Sequence, residues 1–263
     1  MSALAAAPGR PDRRGRPARP TGRRPSWRRT YLPPQHGAWA MLTVPFLVGV
    51  LTGGTAWVQL PLLVAWLAGY LLSYYVLLAV KTRRTGKVRR QVLLYGSLTL
   101  AACAPVLVLR PRLLLFAPAF ALLLAVNAWH ARRRSERSVV NDLASVLLSC
   151  LMVPVAAAAA GTAPLEVLRP AAAVLLYFAG TVLYVKTMIR ERGDRRYLQA
   201  SVGYHVVATV AAAMIGVPLA VVFAWLLVRS AVLPRLRLTP RTVGFIEIAH
   251  CVALVAVIAV ALR

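Results

Sequence analysis

From about residue 37 to the end, the chain is a succession of long apolar segments with very little between them. Each runs for roughly 17 to 23 residues, and a helix needs about 20 to cross the hydrocarbon core of a bilayer. The runs are continuously apolar and do not alternate, which excludes a closed β-barrel. The pattern predicts an all-α, polytopic transmembrane bundle of nine spans, near 37–55, 60–80, 91–109, 113–129, 139–161, 168–188, 199–215, 217–233 and 243–262. Only Gly216, Val217 and Pro218 separate the seventh and eighth, so one long kinked hairpin is the alternative there. At 59% hydrophobic residues over 263 positions, the composition belongs to a membrane protein and not to a soluble domain.

Charge fixes the expected orientation. Lys and Arg number 32 against 7 Asp and Glu, a formal net charge of +25. The basic residues sit in short blocks between apolar runs, which points to a membrane surface before nucleic acid. Counted by connection, 28 of the 32 fall on the N-terminal side, in the tail and in 81–90, 130–138, 186–198 and 229–242. The other side keeps Arg110, Arg112, Arg169 and Arg263. The positive-inside rule then places the N-terminus in the cytoplasm and the C-terminus outside.

Residues 1–30 are rich in Arg, Pro, Gly and Ala and cannot bury a core, so a disordered basic tail is expected ahead of a membrane domain over 31–263. It does not read as a secretory signal, because the basic region is too long and the apolar run after it is span-length. A start codon further downstream, ahead of Trp27, is an alternative. With no aromatic interleaving beyond Trp27, sequence-specific nucleic-acid binding is not expected. Cys103, Cys150 and Cys251 each lie in an apolar run without metal-ligand spacing and read as small buried hydrophobes.

The polar residues are distributed unevenly. Nearly all of those within spans fall in the expected cytoplasmic third: Gln35, His36 and Trp39, Asn127 and His130, Asn141 and Asp142, Tyr184, Lys186 and Arg190, Tyr204 and His205, Glu247 and His250. An ionisable group at mid-bilayer costs about 2.5–3.5 kcal/mol, so these groups must pair, snorkel or line a wet cavity. One reading is a single polar cavity open to the cytoplasm, its rim formed by Lys81, Arg83, Arg84, Lys186 and Arg190. The other is a set of private pairs at the interface, which accounts for Lys186 and Arg190 more easily than for His205, Glu247 and His250. Glu247 and His250 at i, i+3 share a helix face, half of a di-metal carboxylate pattern whose second half is missing, so a hydrogen-bonded pair is expected and no metal. Asp142 has Arg137, Lys186 or its own helix N-terminus as candidate partners. Asn127 suits a helix–helix hydrogen bond, and Ser138 suits the N-cap of the fifth span.

Several stretches of this chain resemble two known families. Pro33-Pro34-Gln35-His36-Gly37-Ala38-Trp39-Ala40-Met41 with Val44-Pro45-Phe46 and Gly49 resembles the opening of the YwiC-like family of bacterial membrane proteins. Lys81-Thr82-Arg83-Arg84, Arg137 to Leu143, and Val185 to Arg192 with Arg195, Arg196 and Tyr197 strengthen that likeness, which implies a multi-pass protein of the bacterial inner membrane. A fainter similarity is to UbiA-type intramembrane prenyltransferases, which have nine helices and active residues on the loops after helices two and six. That family holds Mg²⁺ on a prenyl diphosphate with Asp-rich motifs. Here the corresponding loops read KTRRTGKVRR and KTMIRERGDRR, which are basic, so neither Mg²⁺ nor any other cofactor is expected.

Lys and Arg can instead hold a phosphate directly. The expectation is therefore an anionic amphiphile, a lipid or isoprenoid phosphate, with its head in the basic mouth and its tail between helices. His36, Asp142 and His205 are the candidates for acid–base work if the protein turns over a substrate, as a prenyltransferase-like enzyme would. Gln35, Asn127, Asn141, Tyr184, Glu247 and His250 would line the cavity. The competing classes are a small transporter and a non-catalytic membrane scaffold.

Overall fold

The computed structural model describes residues 30–33, 36–236 and 238–262. By contact the chain divides into Met1–Pro33 and Pro34–Arg263, and the helical bundle is the second unit. The basic tail expected over 1–30 lies outside the described residues apart from Thr30, as does Gln35.

Nine helical passages follow one another, with no strand among the described residues. They are α1 His36–Gly53, α2 Gln59–Thr82, α3 Arg89–Leu109, α4 Ala117–Arg132, α5 Val139–Ala160, α6 Leu168–Ile189, α7 Arg195–Ile215, α8 Val217–Val232 and α9 Pro240–Ala261. Eight passages are long and apolar enough to cross a bilayer, and the apolar part of α1, Ala38–Gly53, is shorter. A bilayer offers no water to backbone amides, so such segments satisfy their own hydrogen bonds as helices.

Local chemistry sets the ends. Ser138 caps α5 by accepting from the Asn141 amide, and Asp194 caps α7 by accepting from the amides of Arg196 and Tyr197. Arg83 ends α2 with a left-handed backbone, φ 54°. The seventh and eighth spans are two helices, joined by the single extended residue Gly216. The fifth span is interrupted at Leu151, between Val139–Cys150 and Met152–Ala160. Pro154 explains the break, because it has no N–H for the Cys150 carbonyl.

α5 and α6 are the most deeply buried passages and form the centre of the bundle; α4 is the most exposed. α2 packs on α3, and α7 packs on α8, as close antiparallel pairs around that centre. α1 lies against the second half of α5 with unusually little between the backbones. A Cβ on Gly49 would sit 2.4 Å from the Val153 carbonyl oxygen, and one on Gly53 2.3 Å from the Ala157 Cβ. Glycine is required at both positions for this approach.

The two ends of the bundle differ. At one end the connections after α2, α4, α6 and α8 are tied together. Lys81 pairs with Glu136 at 2.8 Å, Lys186 Nζ reaches the Arg137 carbonyl at 2.7 Å, and Arg192 Nη2 donates to the Leu238 carbonyl at 3.0 Å. At the other end the ties run to backbone oxygens, from Gln59 Nε2 to Ala156, Arg110 Nε to Ala159 and Thr162 Oγ1 to Gly53. The basic connections thus meet at one end, as the sequence pattern requires. Arg229 is the exception: it lies inside α8, buried at 3% exposure, and does not belong to a connection.

Candidate functional site

Two polar regions stand out, one at the basic end and one inside the bundle. At the basic end, a cleft of about 880 Å³ opens where α2 and α4 end and α3 begins. Val76, Ala79, Val80, Val88 and Val92 make its apolar wall, and Arg83, Arg89 and Arg132 stand on its rim. A smaller cleft of about 350 Å³ lies beside it, with Arg84, Lys87 and Arg134 on the rim. None of these six cations has an acidic partner among the described residues.

The two lysines expected on the same rim are already matched. Lys81 is held by Glu136, and burial, which pushes the Glu136 carboxyl up, is outweighed by the Lys81 hydrogen bond, a backbone hydrogen bond and the charges of Lys81 and Arg137, so it sits below the usual carboxylate range. Lys186 is buried, with Asp142 Oδ2 at 2.7 Å and the Arg137 carbonyl as its second acceptor. Asp142 is thereby the counter-ion of Lys186. Arg190 ends α6 and is exposed.

Asn141, next to Asp142, donates from Nδ2 to the Glu136 carbonyl, while its Oδ1 is buried without a partner. Asn127 Oδ1 receives a long 3.5 Å contact from Ser145 Oγ, which links α4 to α5. His130 Nδ1 lies 2.9 Å from Ser135 Oγ and 3.1 Å from Ser138 Oγ, bracing the α4–α5 connection.

The second region is built on Arg229. Its Nη1 pairs with Glu247 Oε1, joining α8 to α9. The other carboxylate oxygen accepts from the hydroxyls of Tyr177 at 3.2 Å and Thr181 at 3.1 Å on α6. The guanidinium carbon lies over the Tyr184 ring, 4.1 Å from its centroid. Three helices therefore converge on one buried ion pair, and Glu247 lies seven residues into α9, about 10 Å below the helix start at 1.5 Å per residue.

His250 is not hydrogen-bonded to Glu247, because its Nδ1 stands 3.9 Å from Oε1. Its Nε2 accepts from Trp225 Nε1 at 3.0 Å. An indole N–H can only donate, so the neutral imidazole carries its proton on Nδ1, facing Glu247. His205 is buried and its Nδ1 donates to the Ser201 carbonyl at 2.7 Å. Its ring packs on Gly180, where a Cβ would meet Nε2 at 3.1 Å.

Of the three acid–base candidates, Asp142 and His205 share no hydrogen bond or ion pair, and the His36 side chain lies outside the described residues. Tyr184, Glu247 and His250 do come together, around Arg229. No group of three or more His, Cys, Asp or Glu suited to a metal occurs among the described residues. Sequence reasoning placed Arg229 in a connection. The signal that locates it is its position in VVFAWLLVRSAV: apolar residues continue after it, and Glu247 is the one acid in the helix that follows.

A bundle of apolar, span-length helices with paired charges inside it defines a multi-pass membrane protein. A family model described as "YwiC-like protein" matches residues 32–157. The "Uncharacterized protein YwiC" of Bacillus subtilis is 34% identical over 191 residues, which covers 70% of this chain and 78% of that protein. An uncharacterized protein of Haemophilus influenzae is 33% identical over 223 residues, 82% of this chain and 91% of its own length. The chain belongs to the YwiC-like family. No solved structure matches it. The UbiA-type similarity gains nothing from these matches and rests on motif order alone.

Proposed function

We propose that the basic end binds the phosphate or carboxylate head of an anionic amphiphile, and that it faces the cytoplasm of a bacterial cell with the C-terminus outside. The carrying observation is the pair of clefts on either side of the turn after α2: apolar walls, with six cations on their rims that no acid among the described residues has claimed. An apolar wall suits the start of an acyl or isoprenoid chain, and Arg offers bidentate contacts to a head group. Because Glu136 and Asp142 already neutralise Lys81 and Lys186, the head-group contacts fall to Arg83, Arg84 and Arg190 together with Arg89, Arg132, Lys87 and Arg134. Lys81 and Lys186 then hold the connections in place around the rim.

Native mass spectrometry of the purified protein tests this reading. Wild type is expected to carry anionic lipid, and Arg83→Gln with Arg132→Gln to lose it. Equal lipid on both would refute a head-group site. Orientation is tested by labelling single cysteines placed in the 85–87 turn, which must react from the cytoplasmic side only.

A small transporter is the second reading, favoured by the salt bridge of Arg229 and Glu247 inside the bundle, where a passive anchor needs no such pair. Saturable solute flux into proteoliposomes would rank it first.

A further inference from the structure

We propose that Arg229, together with Tyr184, forms a second binding site, inside the bundle and apart from the basic end, for an oxyanion that presents two oxygens, a carboxylate or a phosphate. Half of the guanidinium is unused. Glu247 takes Nη1 only. Nε and Nη2, which share the side-on edge of the group, are buried and have no hydrogen-bond partner, and Arg229 as a whole is 3% exposed. That edge carries two parallel N–H bonds spaced to meet two oxygens of one oxyanion.

The Tyr184 hydroxyl is the second observation. Tyr184 is 0% exposed, its ring lies against the guanidinium, and its oxygen is also without a partner. Buried donors are almost always satisfied, and three of them from two touching side chains ask for an acceptor in common. Glu247 does not serve, since its second oxygen is occupied by Tyr177 and Thr181. These contacts also hold Glu247 in place when Arg229 receives a second acceptor. The negative charge that the ligand brings is offset by the positive field of the basic end, about 10 Å away along α9.

The full-length protein in nanodiscs of zwitterionic lipid is titrated with potassium phosphate, acetate and palmitate, and binding is read by calorimetry and by thermal stabilisation. Arg229→Lys keeps the charge facing Glu247 but removes the fork, and Tyr184→Phe removes one oxygen that bonds to nothing. Saturable binding of at least one probe is expected, weakened tenfold or more by Arg229→Lys and severalfold by Tyr184→Phe, and unaffected by Arg83→Gln with Arg132→Gln. Binding of phosphate or acetate identifies a soluble ligand, and binding of palmitate alone identifies an amphiphile's head. If Arg229→Lys fails to fold, Tyr184→Phe decides. The proposal falls if no probe saturates the wild type, or if both centre variants bind as wild type does.

Discussion

Replacing Glu247 with Gln tests the buried ion pair directly. The substitution keeps the shape and removes the charge, and because an amide has one oxygen it serves either Tyr177 and Thr181 or Arg229, so one hydrogen-bond acceptor is lost with the charge. Arg229 has a side chain only 1% exposed and no other acid paired with it among the described residues, so it would keep a full charge without a counter-ion. Two unit charges about 4 Å apart at an effective dielectric of about 20 interact by roughly 4 kcal/mol. Breaking a buried pair by removing one partner costs about 3–5 kcal/mol, which agrees. A neutral interhelical hydrogen bond in a membrane contributes only about 0.6 kcal/mol, so the two cases are well separated. Steric-trapping unfolding in bicelles should show Glu247→Gln less stable by about 3–5 kcal/mol, and Arg229→Met with Glu247→Met restored to within about 1–2 kcal/mol of wild type. A single variant within about 0.5 kcal/mol of wild type, or a double variant as unstable as the single, would refute the reasoning.

Three further outcomes are expected. Gly49→Ala forces a methyl against the Val153 carbonyl and should destabilise the protein by about 1–3 kcal/mol, whereas Gly86→Ala, which meets nothing, should not; equal unfolding curves would contradict the α1–α5 contact. Asp142→Asn leaves buried Lys186 with only neutral acceptors and should cost about 1–3 kcal/mol, with faster proteolysis at the connection 133–138 as the readout. The lowered Glu136 carboxyl stabilises the fold above the ordinary carboxylate range, and that contribution disappears as pH falls through its lowered value. For an exposed pair it is at most about 1 kcal/mol, and Glu136→Gln should flatten the acid limb of the stability profile by that amount.

The bundle was legible in the sequence because the hydrocarbon thickness sets one length, and eight of the nine stretches have it, with α1 shorter. Ser138 as a cap was also readable, and Lys186 stood among three candidate partners of Asp142, since both depend on neighbours along the chain or at the same helix end. Partners brought together from α6, α8 and α9 were not readable. Arg229 is three residues from the end of its helix, where a basic residue ordinarily marks the interface, so only packing shows that it turns inward toward Glu247. The expected Glu247–His250 pair failed for a related reason: i, i+3 spacing puts two groups on one face but does not outbid Arg229 and Trp225 from α8. The interruption of α5 was signalled by Pro154, whose missing N–H is a local fact, although apolar length alone conceals it.

The elbow at Gly216 has a consequence for biogenesis. With one residue joining α7 to α8, no polar stretch exists that could wait in water while the second helix is being synthesised. The two must leave the translocation channel side by side. α7 has the lowest mean hydropathy of the eight long spans, 1.5 against 1.9 for α8, so the more apolar helix draws its neighbour into the lipid. Lengthening the elbow with a hydrophilic spacer would uncouple that joint entry and leave α7 to partition on its own weaker merits.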